Sequence, residues 1–196
     1  MTTMKPSDEL FEMHKAFEGM SHEAYVCPAG VLTIGIGHTS QEVMPFTEKT
    51  TWTEEEINHA WELDMENTVE LANKLITKSI SQGMFDATVD LIFNCGSGCR
   101  TYLNLVNGLN YDSAEDALLR WIHVDGVAQV GLIKRRFADL ALFRGTDDWE
   151  EIASCNATAK DIEPLNKLIA KMGYKVFPDS HTGWRVAHID RAGNEV

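Results

Sequence analysis

The chain has 196 residues, 44% of them hydrophobic, which is typical of a globular protein and not of a disordered one. Its net charge of −13 argues against binding to nucleic acid or to an anionic membrane surface, since both require clustered Lys and Arg. No apolar run approaches the roughly 18 residues of a membrane span. The start, MTTMKPSDELFEMHK, lacks the basic and apolar regions of a secretory signal. We therefore expect a protein made in a cytosol that needs another agent to leave it.

The four cysteines are expected to be thiols, because a cytosol keeps cysteines reduced. They are Cys27, Cys95, Cys99 and Cys155. The pair in NCGSGC is followed by no further Cys or His at the spacing of a zinc site. We therefore predict no metal and no cofactor.

A helix and then a small sheet are expected at the start of the chain. Residues 7–20 read SDELFEMHKAFEGM, in which Ser7 can cap a helix that ends near Gly19. From Tyr25 to His38 the pattern is short, β-branched and bounded by glycine. This pattern predicts two strands joined by a tight turn at residues 28–30.

A run of helices is predicted after the sheet. TWTEEEINHAWELDMENTVELANKL begins with a capping signal at Thr51 or Thr53 and continues with apolar residues at helical intervals. QGMFDATVDLIFN is mostly apolar, as a buried central helix would be. The segments predicted to be helical from here on are residues 82–94, 99–107, 112–122 and 130–142.

The composition changes past Gly145. DDWEEIASCNATAKD is polar and acidic, IEPLNKLIAKMGY has a helical pattern, and KVFPDSHTGWRVAHIDRAGNEV predicts two strands around a turn. About fifty residues could hardly hold a core of their own, so we expect this tail to pack against the rest. The predicted fold class is α+β, with a domain of residues 1–146 and a C-terminal helix and hairpin appendage of residues 147–196.

The stretch FEGMSHEAYVCPAGVLTIGIGHTS is the main candidate for chemistry. Hydrolysis of a glycosidic bond needs an acid for the leaving oxygen and a means of orienting water. A partly buried Glu18 could be that acid, the Thr33 hydroxyl could bind the water, and an ionised Cys27 could take its proton. The alternative is equally concrete, with Glu18 a solvated surface acid and Cys27 a small buried hydrophobe.

The same stretch resembles the signature of phage-type lysozymes, the endolysin muramidases of glycoside hydrolase family twenty-four. The resemblance is carried by Glu18-Gly19, Tyr25, Gly30, Thr33-Ile34-Gly35, Gly37 and His38. It continues at DATVDLIFNCGSG and at GLIKRRFADLALF, which look like the family's central helix and its Arg-Arg helix. The resemblance covers residues 7 to 145 and leaves the tail outside it.

The resemblance implies a two-lobed, lysozyme-like fold with a small N-terminal sheet lobe and a helical C-terminal lobe. It implies cleavage between N-acetylmuramic acid and N-acetylglucosamine in peptidoglycan, with Glu18 as the acid and Thr33 as the holder of water. Cys27 stands where the family has an aspartate. An unperturbed thiol ionises near pH 8.5, so a cation such as His22 or His38 would be needed to raise its thiolate fraction. Glu23 is a possible replacement carboxylate.

Other site residues are expected from the same resemblance. Those expected to bind substrate are Thr39, Phe93, Asn94, Tyr102 (or Thr101) and Gly131. His38 is expected to pair with an acid rather than to catalyse, and Arg135-Arg136 to form ion pairs or to touch saccharide carboxylates. For Phe93 a plain core position is the competing interpretation. A disulfide from Cys27 to another cysteine is a further, regulatory alternative.

Three functions remain open on the sequence. The first is a phage muramidase that acts on bacterial peptidoglycan as a monomer, remains in the host cytoplasm until lysis and is then released by a holin-type partner to the wall. The second is a lytic transglycosylase in which Glu18 acts alone and leaves an anhydro product. The third is a catalytically silent wall-binding or virion protein with the same fold.

Overall fold

A computed structural model describes residues 3–27 and 30–196 of the chain. The predicted turn residues Pro28 and Ala29 lie outside that part. The fold is α+β, as predicted, with three two-stranded sheets among its helices. Within the described part, no helix is both long and apolar enough to cross a bilayer.

The first helix and the first sheet follow the sequence signals. α1 (Asp8–Glu18) is capped by the Ser7 hydroxyl, which accepts from the Leu10 N–H, and it ends at Gly19 with a φ of 77°. β1 (Ser21–Val26) and β2 (Leu32–Gly35) pair antiparallel. β1 begins four positions before the predicted Tyr25. The last residue of α1, Glu18, therefore lies just before the hairpin in the chain.

The long helix α2 (Glu54–Leu75) begins at Thr53, one of the two predicted caps. A reciprocal capping box joins Thr53 to Glu56, which satisfies two backbone N–H groups at the helix end. The imidazole of His38 contacts the Asp64 carboxylate at 2.8 Å, so this helix is tied to the segment after β2. The prediction that His38 pairs with an acid is confirmed.

The middle of the chain is helical and closely packed. It contains α3 (Gln82–Cys95), a 3₁₀ turn (Gly96–Gly98), α4 (Arg100–Asn107), α5 (Tyr111–Leu118) and α6 (Val130–Arg144). The helix predicted over 112–122 is wrong in its last residues, because α5 already ends at Leu118. A small hairpin of β3 (His123–Val124) and β4 (Val127–Ala128) follows. Asp125 and Gly126 both have positive φ between these strands, as tight hairpin turns require.

The tail consists of α7 (Asp148–Ser154), α8 (Glu163–Ile169), a 3₁₀ turn (Ala170–Met172), β5 (Tyr174–Asp179) and β6 (Gly183–His188). The one helix predicted in the tail, α8, and the predicted hairpin are confirmed, whereas α7 was not predicted. The tail packs on the rest as expected. Trp149, Ile152 and Tyr174 are buried in the same hydrophobic cluster as α3 and α6. The division at residue 146 stays a prediction.

Candidate active site

Glu18 is the last residue of α1, and 34% of its side chain is exposed. Its Oε1 atom lies 2.5 Å from Nη1 of Arg135, which comes from α6. This contact joins residues 117 positions apart in the chain. The predicted acid therefore stands at the boundary between solvent and the core of the helical region.

Arg135 is itself held from several sides. Its Nε donates to both oxygens of Asp90 at 3.1 Å, and its Nη2 donates to Asp90 Oδ1 at 2.7 Å. The guanidinium carbon lies 5.6 Å from the ring centre of Phe17 and 5.7 Å from that of Phe93, within cation–π range. The remaining guanidinium nitrogen, Nη1, donates to Glu18.

A buried cluster of charged groups lies behind this arginine. Arg136 Nη2 contacts Asp90 Oδ2 at 2.7 Å, and Arg136 Nε lies 2.8 Å from Asp139 Oδ2. His14 Nε2 lies 2.8 Å from Asp90 Oδ1, while its Nδ1 accepts from the Trp61 indole N–H at 3.1 Å. Because Nδ1 is an acceptor, the His14 proton sits on Nε2 and faces Asp90.

The pKa values of the two aspartates of the cluster, Asp90 and Asp139, are shifted in opposite directions. Burial alone would raise the pKa of Asp90, but Arg135, the His14 hydrogen bond and Arg136 hold it well below 3.8. Burial raises the pKa of Asp139 well above 3.8, and the neighbouring Asp90 charge adds to the increase despite Arg136. Both guanidinium groups thus contact the Asp90 carboxylate, and Arg135 also contacts Glu18.

Cys27 and Thr33 come together in the hairpin. The carbonyl oxygen of Val31 accepts from the Cys27 N–H at 2.9 Å and from the Thr33 hydroxyl at 3.0 Å. The strand register pairs Tyr25 with Thr33, which places Cys27 and Thr33 on one face as diagonal neighbours. Thr33 is buried and Cys27 is partly buried. Since the hydroxyl proton is held by Val31, the Thr33 oxygen keeps lone pairs for accepting from water.

The remaining predicted substrate residues are mostly exposed. Thr39, Asn94 and Gly131 are at the surface, and Phe93 is 41% exposed although it was also considered as core. One face of Phe93 packs on the His14 ring, with 5.0 Å between ring centres. Phe93 and Glu18 thus have Arg135 as a common neighbour.

Tyr102 is a correction. Its side chain is 0% exposed and its hydroxyl lies 2.9 Å from that of Thr88, so it belongs to the core and cannot touch a saccharide in this arrangement. The adjacent Thr101, the alternative at this position, is exposed. Neighbouring residues of a helix point in different directions, so Tyr102 can be buried while Thr101 is exposed. The sequence alone did not show which of the two faces solvent.

His14, Asp90 and Asp139 were missed as parts of the site. A signal for them existed, because aspartates inside an apolar helix such as α3 must be paired or protonated. The run Lys134-Arg135-Arg136 in GLIKRRFADLALF offered adjacent cations as partners for them. The expected ion pairs of these two arginines are confirmed.

The cysteines beyond position 27 are thiols. Burial raises the pKa of both Cys95 and Cys99, which disfavours their reactive thiolate forms. Cys155 is likewise unoxidised. None of the three disulfides considered for Cys27 is therefore formed in this structure.

Solved structures with a lysozyme-like fold resemble this chain. A mutant of P22 lysozyme matches with a TM-score of 0.65 and 30% identity, over 72% of this chain and 99% of that one. The muramidase domain of SpmX from Asticaccaulis excentricus matches with a TM-score of 0.60 and 30% identity, over 71% of this chain and 97% of that domain. The fold thus places the chain among lysozyme-like proteins.

The phage lysozyme family model matches residues 15–139, so the chain belongs to that family. The endolysin of Bacillus phage B103 is 32% identical over 134 residues, which are 66% of this chain and 50% of that protein. The chain thus spans about half the length of that relative. The matched region contains Glu18, Cys27, Thr33 and Arg135 and stops before the tail.

Proposed function

We propose that this chain is a muramidase that hydrolyses the β-1,4 bond between N-acetylmuramic acid and N-acetylglucosamine, and that it opens the host wall at the end of phage infection. Membership in the phage lysozyme family makes it a cell-wall lytic enzyme. One observation carries the finer proposal. A single glutamate, Glu18, ends α1 just before the hairpin that contains Thr33, and its side chain is anchored by Arg135.

The proposed reaction uses a protonated Glu18 as the acid. Its proton goes to the glycosidic oxygen as the bond from that oxygen to the anomeric carbon of N-acetylmuramic acid breaks. A water adds its oxygen to that carbon and loses a proton, so the products are two sugar ends, one of them reducing. Glu18 is left as a carboxylate, which Arg135 Nη1 at 2.5 Å is placed to receive.

Thr33 is proposed to hold the water. The Val31 carbonyl fixes its hydroxyl hydrogen, so the oxygen has a defined acceptor direction. A water that donates one hydrogen to Thr33 has its second hydrogen available for a base. Cys27, the diagonal neighbour of Thr33 on the same face, is proposed as that base or as a second group that orients the water.

The products of digested peptidoglycan test the proposal. Wild type is expected to release muropeptides with reducing N-acetylmuramic acid ends, and Glu18→Gln none, as read by mass spectrometry. Products from the Glu18→Gln variant at the wild-type rate would contradict the role of the acid. The absence of products from both proteins would leave a wall-binding protein as the function.

A lytic transglycosylase is the second candidate, because the resemblance puts Cys27 where the family has an aspartate. In that reaction the C6 hydroxyl of the muramic acid replaces water, and the product is a 1,6-anhydro sugar. The mass of that product is lower by one water, so the same spectra distinguish the two reactions.

Peptidoglycan is the proposed partner, with a holin-type protein for release from the host cytoplasm and with the chain acting as a monomer. Gel filtration with light scattering checks the monomer. Lysis of cells expressing the chain with and without a holin checks the release.

A further inference from the structure

We propose that a groove between the family-matched region and the tail binds the stem peptide of peptidoglycan, the short peptide attached to N-acetylmuramic acid. We call it the tail groove, and its volume is about 290 Å³. The residues that define it are Asp116, Leu119, Arg120, Ile122, Val186 and His188. The inference rests on the proposed function, because this peptide is part of the proposed substrate.

The tail groove has one wall from each part of the chain. The end of α5 and the residues up to β3 form one wall, within the region that matches the phage lysozyme model, and β5 and β6 form the other. The Tyr174 hydroxyl donates to Asp116 Oδ1 at 3.2 Å, and His188 Nε2 lies 2.8 Å from the same oxygen. The tail therefore completes a site that the family-matched region alone does not form.

Two opposite charges in the tail groove do not pair with each other. Asp116 and Arg120 are four positions apart, a spacing at which opposite charges on a helix commonly pair. The Asp116 carboxylate instead contacts the tail, and its hydrogen bonds with described residues use Oδ1 only. Arg120 is exposed, and its guanidinium forms no hydrogen bond or ion pair with a described residue. Both charges are thus available to a ligand.

The remaining surface of the tail groove is apolar or already paired. Leu119, Ile122 and Val186 line it with apolar side chains. Arg185 lines it as well, and Glu195 pairs with its guanidinium. A matching ligand therefore carries one group of each sign on a small, partly apolar frame.

The stem peptide has this chemistry. Its glutamate and terminal alanine supply carboxylates, its diamino acid supplies an amine, and its alanines supply methyl groups. A guanidinium binds a carboxylate through two parallel hydrogen bonds, so Arg120 is the expected partner of a carboxylate and Asp116 Oδ2 the expected partner of the amine. The glycan carries neither charge where its muramic acid is joined to the peptide. The charges of the groove therefore favour the peptide over the sugar.

A second groove shares Arg120 with the tail groove. Its volume is about 310 Å³, and its lining consists of Gly98, Thr101, Ala117, Arg120 and Trp121. Thr101, a candidate substrate residue from the resemblance, is exposed. A peptide that starts from a glycan near Thr101 can pass Arg120 and enter the tail groove.

Peptide binding is measured by nuclear magnetic resonance on the full ¹⁵N-labelled chain. The probe is the tetrapeptide L-Ala-γ-D-Glu-meso-diaminopimelate-D-Ala, and the control is the same peptide with its carboxylates amidated. We expect the tetrapeptide to shift the backbone signals of Arg120, His123 and Ala187 in a saturable way, and the amidated peptide to leave them unshifted. No shift at these residues, or equal shifts with the amidated peptide, would overturn the proposal.

Two arginine variants separate the groove from the net charge of the chain. Arg120→Gln removes an exposed cation that pairs with no described residue, so the variant should fold. Its affinity for the tetrapeptide should be weaker by about fivefold, as expected for the loss of one exposed charge-assisted contact. Arg191→Gln removes an exposed arginine past β6, outside the groove, and should leave the affinity unchanged. Equal losses in the two variants, or wild-type affinity in Arg120→Gln, would contradict the site.

Asp116→Asn tests the opposite charge. The asparagine oxygen still accepts from Tyr174 and His188, so the groove should persist while the negative charge is lost. Affinity for the tetrapeptide should fall by about threefold. Affinity for a tetrapeptide with an acetylated amine should be the same in the variant and in wild type. Losses of equal size for both peptides would refute Asp116 as the partner of the amine.

Cleavage kinetics separate this inference from the proposed function. Glycan strands that carry stem peptides are compared with strands from which an amidase has removed them. Arg120→Gln should raise KM by about fivefold for the peptide-bearing strands, with kcat and the KM of the stripped strands unchanged, since it removes binding that is equal in the ground and transition states. If wild type bound the tetrapeptide but cleaved neither strand, the proposed function alone would fail. Cleavage of both strands with equal KM, together with no tetrapeptide binding, would refute the tail groove alone.

Discussion

Three aspartates in the helical region show how the surroundings of one residue type set its charge. Asp86, Asp90 and Asp139 are each 0% exposed. Arg135 and Arg136 hold Asp90 ionised, whereas burial raises the pKa of Asp139. Burial also raises the pKa of Asp86, although hydrogen bonds from Ser7 and Gln82 oppose the increase. The same side chain is thus a fixed charge in one place and a weak acid in another.

Asp86→Asn should stabilise the protein at neutral pH. The Asn oxygen can still accept from the Ser7 N–H and the Gln82 amide, as Asp86 Oδ1 does at 3.1 and 3.0 Å. The pKa of the folded state is above the unfolded value, so ionised Asp86 costs stability at pH values above about 4 and costs nothing in strong acid.

Urea unfolding at several pH values measures this effect. The gain of Asp86→Asn over wild type should be absent near pH 3 and should grow as the pH rises towards 7. A constant difference across the pH range would show that the change acts through packing and not through the charge of Asp86.

Cys27 stands where the resemblance to phage-type lysozymes predicts an aspartate. If its thiolate accepts a proton from water, Cys27→Ser should lose most of the activity, since a serine hydroxyl is far less acidic, while Cys27→Asp should retain it. Loss of cell-wall turbidity with the three proteins at equal concentration is the measurement. A fully active Cys27→Ser protein would refute the thiolate role.

The sequence predicted the residues that belong to one continuous motif better than those that the fold assembles. The candidates Glu18 and Thr33 and the confirmed pairing of His38 come from a single stretch of 24 residues with specific glycines. Asp90 is linked to Glu18 through Arg135, which lies 45 positions from Asp90 and 117 positions from Glu18 in the chain. No spacing rule gives such contacts, because they depend on how α1, α3 and α6 pack.

At the scale of elements, α3 and α6 approach each other unusually closely at Gly83. A Cβ placed on Gly83 would lie 1.9 Å from the backbone oxygen of Leu142, a distance at which the helices must move apart. Glycine is therefore required here by space rather than by a special backbone conformation.

Gly83→Ala should destabilise the protein by about 1–3 kcal/mol or more, as overpacked sites do. Gly131 in the first turn of α6 provides a matched control, because no atom lies within 4 Å of its hypothetical Cβ. Gly131→Ala should stabilise by up to about 1 kcal/mol through helix propensity. Thermal unfolding of both variants tests the pair, and equal effects would contradict the close approach.

Elements with explicit end signals were predicted, and elements stabilised by distant contacts were not. Ser7 and Thr53 cap α1 and α2 as expected from their positions. α7 was missed because its surface is acidic and its two buried residues, Trp149 and Ile152, are stabilised by packing on the rest of the protein. The β3–β4 hairpin was missed because its strands have two residues each, too few for a periodicity.

At the scale of the whole molecule, the tail and the family-matched region share bonds as well as a core. The Ala128 N–H donates to the Thr182 carbonyl at 2.8 Å, and Arg144 Nη1 donates to the Met172 carbonyl at 2.9 Å. The Tyr174 ring packs on Phe137 of α6 with 5.8 Å between centres. These contacts between the tail and the family-matched region predict that the two parts unfold together.

Asn166 of α8 is the residue that tests this cooperativity. Its side chain accepts from the Val176 N–H at 2.8 Å and donates to the Val176 carbonyl at 3.1 Å, and it is 6% exposed. Asn166→Ala leaves both backbone groups buried without those partners, which should cost about 2–4 kcal/mol. The exposed Asn156 is the control, and Asn156→Ala should change stability by less than about 0.5 kcal/mol.

The location of the lost stability distinguishes one folding unit from two. If the tail and the rest unfold together, hydrogen exchange followed by peptide mass spectrometry should show Asn166→Ala weakening protection in α3 and α6 as much as in β5 and β6. Circular dichroism and tryptophan fluorescence should then report one shared transition at a lower temperature. Protection that fell only in the tail, with wild-type exchange in α3 and α6, would contradict this prediction. Residues 147–196 would then be an appendage that unfolds separately from the rest.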